Sequence, residues 1–190
     1  MLAINPRTVL SAFLLCLSFG TMSNFAAAQA GTNGDLSAPD SSSSSENNTV
    51  VRWDRIVGVI TSEGLSNPVA GIASSTTPWT ATFGAAKVDL TNGAASFFVQ
   101  GLAFVGGDTI GTPGAVNSVA GALVCDAGAA DQVITETPAV FLDVQGNAEF
   151  KGRLEKLPPS ACSNPIFLIL NAPKNIWIAT AAVRSFQTAR

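Results

Sequence analysis

The chain has 190 residues, of which 47% are hydrophobic and only 12% charged, with no His and no Tyr. Without imidazole it has no Ser-His-Asp triad, no Cys-His pair and no histidine-based zinc site. Ten Lys and Arg stand against thirteen Asp and Glu, a net −3. That balance lacks the basic excess that phosphate neutralisation requires, so nucleic acid is not an expected partner.

Residues 1–30 have the layout of a secretory signal peptide. Arg7 supplies the positive n-region, Val9 to Phe19 the apolar stretch, and Ala28-Gln29-Ala30 a small-residue cleavage site ahead of Gly31. Ala26-Ala27-Ala28 offers a second site. The apolar stretch is roughly 11 residues, short of the roughly 20 that span a bilayer. Leu15 before Cys16 is too large for a lipidation motif. Later apolar runs, such as Ile166 to Leu170, are strand-sized. The sequence therefore predicts a protein secreted to the periplasm or the extracellular space, with no transmembrane segment once the leader is cleaved.

Residues 31–48 form a polar tract around an unbroken serine run, Ser41 to Ser45. Such a tract buries too little apolar area to offset its ordering entropy, which predicts a disordered linker. Asn47-Asn48-Thr49 is an acceptor sequon, used only in a eukaryotic secretory route.

From Thr49 the composition changes, and residues 49–190 read as a single domain. Runs rich in Val, Ile, Phe, Thr and Ala alternate with clusters of Gly, Pro, Asn and Asp, the pattern of strands and turns. The expected strands are Val50–Ile60, Val69–Ala73, Thr80–Leu90, Ala94–Val105, Val116–Val124, Gln132–Leu142, Asn147–Leu157, Ile166–Leu170 and Ile176–Val183. No helical stripe of useful length interrupts them. The predicted fold is an all-β antiparallel sandwich of about 8–9 strands, with a β-barrel as the alternative.

Two hairpins stand out. Asn92-Gly93 predicts a tight primed turn between the third and fourth runs. Gln145-Gly146-Asn147 predicts the second hairpin, joining Val140–Val144 to Ala148–Leu157. In that returning strand Ala148, Phe150, Gly152 and Leu154 share one face and Glu149, Lys151, Arg153 and Glu155 the other, so one side meets the core and one meets water. Ser96 to Val105 and Ile166 to Leu170 carry apolar residues of both parities, which predicts burial on both faces.

Loss of the leader leaves Cys125 and Cys162 as the remaining cysteines. In an exported chain they predict one disulfide between segments that are not adjacent. Its loop of roughly 38 residues stabilises the fold by roughly 4 kcal/mol in the chain-entropy model. Two thiolates with no further ligand make no metal site, and no imidazole is present to activate either sulfur.

No catalytic residue, metal or cofactor is predicted. The binding candidates are the tryptophans. Trp53 and Trp177 lie in strands and are expected mainly in the core, whereas Trp79, after Thr76-Thr77-Pro78, is the one expected to be exposed. Most carboxylates sit at turns or on the solvated strand face. A glycan hydrolase would need two of Asp54, Glu63, Asp108, Asp126, Asp131, Glu136 and Asp143 in one cleft beside a Trp. Asp126 and Asp131 alone fall short of the six to eight oxygens that calcium takes. The cations are dispersed in sequence, and the densest group is Lys151, Arg153 and Lys156, interleaved with Glu149 and Glu155. The expected function is non-enzymatic, with a binding or structural role at the cell surface or outside it and a glycan or protein as partner. A carboxylate-dependent glycan-active enzyme or a carbohydrate-binding module is the alternative.

Overall fold

The computed structural model describes residues 49–62 and 64–187. The expected leader and linker, Asn47 and Glu63 lie outside the described residues. Among the described residues the strands are β1 (Val50–Gly58), β2 (Trp79–Thr80), β3 (Phe83–Asp89), β4 (Ala94–Gln100), β5 (Ala103–Phe104), β6 (Ser118–Cys125), β7 (Val133–Glu136), β8 (Val140–Phe141), β9 (Ala148–Arg153), β10 (Ile166–Asn171) and β11 (Ile176–Gln187). A single 3₁₀ turn, Ala172–Lys174, joins the last two. The fold is all-β, and these strands pair only antiparallel.

The main sheet runs β7-β6-β10-β11-β1-β3-β4-β9, with β8 also on β6, and β2 and β5 form a small second sheet. The main sheet is strongly curled. In a flat sheet, four strand spacings of about 4.8 Å would hold β4 and β10 roughly 19 Å apart. Instead the rings of Phe97 on β4 and Phe167 on β10 lie 5.9 Å apart. Trp53 reaches the same Phe167 ring at 5.6 Å, and Phe150 stacks on Phe97 at 5.8 Å. One sheet thus supplies both layers of a sandwich-like core. A buried Phe contributes roughly 1.5–3 kcal/mol through the apolar surface it withdraws from water.

The curl brings the two ends of the sheet together. The Glu155 N–H, just beyond β9, donates to the Glu136 carbonyl of β7 at 2.7 Å. Beside it the Thr135 hydroxyl donates to the Lys156 carbonyl at 2.8 Å. This arrangement corrects the second expected hairpin. Its turn forms, with Asp143 N–H donating to the Asn147 carbonyl, but β8 pairs with β6 and β9 pairs with β4. Thr137-Pro138-Ala139 separates β8 from β7, because proline has no N–H to continue a ladder.

Small residues permit the close approach of the layers. A Cβ on Gly121 of β6 would lie 3.0 Å from Cδ1 of Phe97 and closer still to the Phe167 ring. The Gly121 N–H donates to the buried Thr137 hydroxyl, so that polar side chain is satisfied.

The disulfide joins Cys125 and Cys162, with Cα atoms 5.1 Å apart. Cys125 ends β6, and Cys162 lies in the loop ahead of β10, its hydrogen-bonded neighbour. The bond therefore ties segments that are distant in sequence but adjacent in the sheet. Among the described residues no helix is long and apolar enough to cross a membrane.

Three further expectations need correcting. Val69–Ala73 is not a strand and contributes only the Val69↔Ile72 bridge. The Asn92-Gly93 turn is not a two-residue primed turn. A primed turn needs positive φ at both central residues, and here only Gly93 has it, at 69°. A four-residue loop results, in which the Gly93 N–H donates to the Asp89 carbonyl at 2.8 Å and the Asp89 carboxylate accepts the Thr91 N–H. The Ala94–Val105 run breaks at Gly101, φ 62°, into β4 and β5.

Candidate functional site

The three tryptophans present no face to a ligand. Trp53, Trp79 and Trp177 are 2%, 3% and 4% exposed. Trp79, expected on the surface, is instead inserted with its indole N–H donating to Ser75 Oγ, and its ring packs against Phe104 at 4.0 Å. Trp177 donates to the Asn67 carbonyl at 2.9 Å. The loop between β1 and β2 folds over these indoles, so a residue that is loop-borne in sequence is core in space.

Of the carboxylates named for hydrolysis, those among the described residues are all partly or fully exposed. Glu136 lines a depression of about 210 Å³ with Glu155, Lys156 and Thr135, and no Trp lines it. Asp143 serves its own turn: its carboxylate accepts the N–H groups of Asn147 at 2.7 Å and Gln145 at 2.9 Å and the Asn147 amide at 3.0 Å. Among the described residues, no three His, Cys, Asp or Glu side chains gather as metal ligands.

The outer face of β1, β3, β4 and β9 brings together residues that the sequence keeps apart. The turn at Asp89–Ala94 fixes the hairpin register, which places Lys87 opposite Ser96. β9 then sets Lys151 opposite Ser96, and β1 sets Arg52 opposite Lys87. Directly opposed residues in an antiparallel ladder share a face, so Arg52, Lys87, Ser96 and Lys151 form one outward row. Arg52, Lys87 and Lys151 are all exposed. The next row toward the turn is Asp89, Ala94 and Arg153. Asp89 is engaged by Thr91 and the Asn92 amide, and Arg153 donates to the Asn92 carbonyl. Lys87, Lys151, Arg153, Asp89 and Ser96 line a groove of about 430 Å³.

In the other direction along the same face the next row is Ala85, Phe98 and Glu149, followed by Phe83 opposite Gln100. The rings of Phe83 and Phe98 are 5.5 Å apart, and Phe83 is 51% exposed. Phe98 and Phe141, the latter 71% exposed, line a second groove of about 390 Å³ with Gln100, Asp143, Asn147 and Glu149. Both grooves follow the β4–β9 pair, cationic at one end and aromatic with hydrogen-bonding groups at the other.

The alternation in β9 correctly put Lys151 and Arg153 on the solvated side, while Lys156 lies in the separate depression with Glu136. Arg52, Lys87 and the aromatic cluster do not emerge from the sequence, although β3 parity and a correct hairpin register would have aligned Lys87 with Lys151. The both-parity run around Phe97-Phe98 is not buried on both faces: Phe97 is core and Phe98 is half-buried on the outside. Comparison with protein-family models, curated proteins and solved structures finds no match.

Proposed function

We propose that the chain is an exported, non-enzymatic binding protein that engages its partner through the outer face of β1, β3, β4 and β9. The carrying observation is Arg52 opposite Lys87, extended by Lys151 and Arg153, on an otherwise acidic chain. Like charges held directly opposite each other destabilise a ladder, so the fold gains nothing internally from this row. An anionic partner at the face would convert that repulsion into attraction. The disulfide and the leader-like residues 1–30 support action outside the cytoplasm, where such a bond persists.

Fractionation of cells producing the full chain tests this reading. The protein is expected outside the cytoplasm, beginning at Gly31 and oxidised at Cys125 and Cys162. It is expected on the cell-surface or extracellular insoluble fraction, released by raised salt. The double variant Lys87→Glu, Lys151→Glu should fold normally and remain in the soluble fraction. Identical, salt-insensitive partitioning of both proteins would defeat the proposal.

A further inference from the structure

From the same face we infer the ligand class: an acidic polysaccharide, with its anionic groups at the Lys87–Lys151–Arg153 end and its sugar rings against Phe98 and Phe141. This deepens the binding reading above and rests on it. Three features of the face select this ligand.

The first is charge spacing. Lys87 and Lys151 flank Ser96 two strand spacings apart, roughly 10 Å. The carboxylates Asp54, Asp89 and Glu149 stand on or beside the same face. A nucleic acid strand presents one phosphate per roughly 3.4 Å and would set phosphates against those carboxylates. A polymer charged only on some of its rings can place uncharged rings there.

The second is the aromatic end. Phe98 is half-buried and backed by Phe83, so its ring is held in place, and Phe141 is exposed across the same groove. Aromatic side chains present flat apolar faces, which suit the C–H faces of sugar rings. The third is the polar complement of that groove. Glu149, Asn147 and Gln100 line it and provide acceptors for hydroxyl groups, which a lipid acyl chain could not use.

The test uses the processed, oxidised chain in affinity electrophoresis and calorimetry. The probes are hyaluronate and kappa-carrageenan, each charged on alternate rings, with neutral dextran, phosphatidylglycerol vesicles and a single-stranded oligonucleotide. Binding is expected to at least one acidic polysaccharide, and the first two probes distinguish carboxylate from sulfate. Replacing Lys87 or Lys151 by Ala should weaken it roughly two- to fivefold each, the range that exposed ion pairs give. In high salt the wild type should retain residual affinity that Phe98→Ala lacks, since stacking is not screened as charge is. Loss of all wild-type affinity in salt, equal to Phe98→Ala, would reject the sugar-stacking claim. Tighter binding to vesicles or oligonucleotide that depends on Lys151 would reject the polysaccharide class while leaving the binding face standing. No binding to any probe, with fractionation still sensitive to Lys87→Glu and Lys151→Glu, would reject the ligand class alone. No binding together with insensitive fractionation would reject both readings.

Discussion

Arg52 on β1 and Lys87 on β3 stand directly opposite one another, both exposed on the same outer face. Their Cβ atoms are then about 4.5–5.5 Å apart, close enough for repulsion to register in stability. Replacing Lys87 by Ser should therefore stabilise the fold by about 0.2–1 kcal/mol while weakening capture of acidic polymers. Urea unfolding checks the first effect and affinity electrophoresis the second. A variant that is less stable than wild type would show that the row is held by interactions within the fold.

Gly121 sits where the two halves of the curled sheet approach, against the rings of Phe97 and Phe167. Gly121→Ala should destabilise by about 1–3 kcal/mol, the usual cost of overpacking a filled core. Combining it with Phe97→Leu, which withdraws the ring that faces Gly121 from β4 across the curl, should make the loss less than additive. Additive losses in a double-mutant cycle would indicate that the two halves do not meet at this point.

The Cys125–Cys162 bond closes a 37-residue separation. Reducing it, or replacing both cysteines by Ser, should lower unfolding free energy by about 2–5 kcal/mol. The measurement is the guanidinium midpoint with and without reductant. Coincident unfolding curves would indicate that the bond contributes nothing to stability.

Asp143 predicts an acid-sensitive turn. The Asn147 N–H first of all, opposed by desolvation and helped by the Asn147 side-chain amide and the N–H groups of Gln145 and Gly146, holds the Asp143 carboxyl below its ordinary 3.8. A carboxyl whose folded value is depressed contributes stability that is fully present above the unfolded value and is lost as pH falls through the folded value. The β8–β9 turn should therefore loosen only below pH 3.8. Carboxyl-carbon NMR should show Asp143 titrating below that value, and Asp143→Asn should remove this part of the acid transition. A midpoint at or above 3.8 would contradict the hydrogen-bond geometry.

Val183 adopts a φ of 57° in β11, which β-branched residues avoid, and its side chain is 66% exposed. Val183→Asn should stabilise by about 1 kcal/mol, since Asn tolerates the left-handed region and little packing is lost. Thermal unfolding of the two proteins decides this.

Much of the local structure is legible in the residues themselves. Glu149, Lys151 and Arg153 alternate with Ala148 and Phe150, and a period of two places successive side chains on opposite faces whatever the neighbours are. The tryptophans mark the limit of such reading. Trp79 follows a Thr-Thr-Pro loop and looks exposed, yet the fold brings Ser75 and Phe104 around it.

Composition alone excluded imidazole chemistry, the strand-and-turn pattern determined an all-β fold, and the two cysteines of the strand-rich part, Cys125 and Cys162, defined one pairing. Only the tertiary structure decided that β8 and β9 pair with different partners, that β4 folds back over β10, and that Arg52, Lys87 and Lys151 share a row. The physical reason is that alternation along a strand is a local property of the backbone. Adjacency between strands instead depends on contacts between residues far apart in the chain, which no local pattern records.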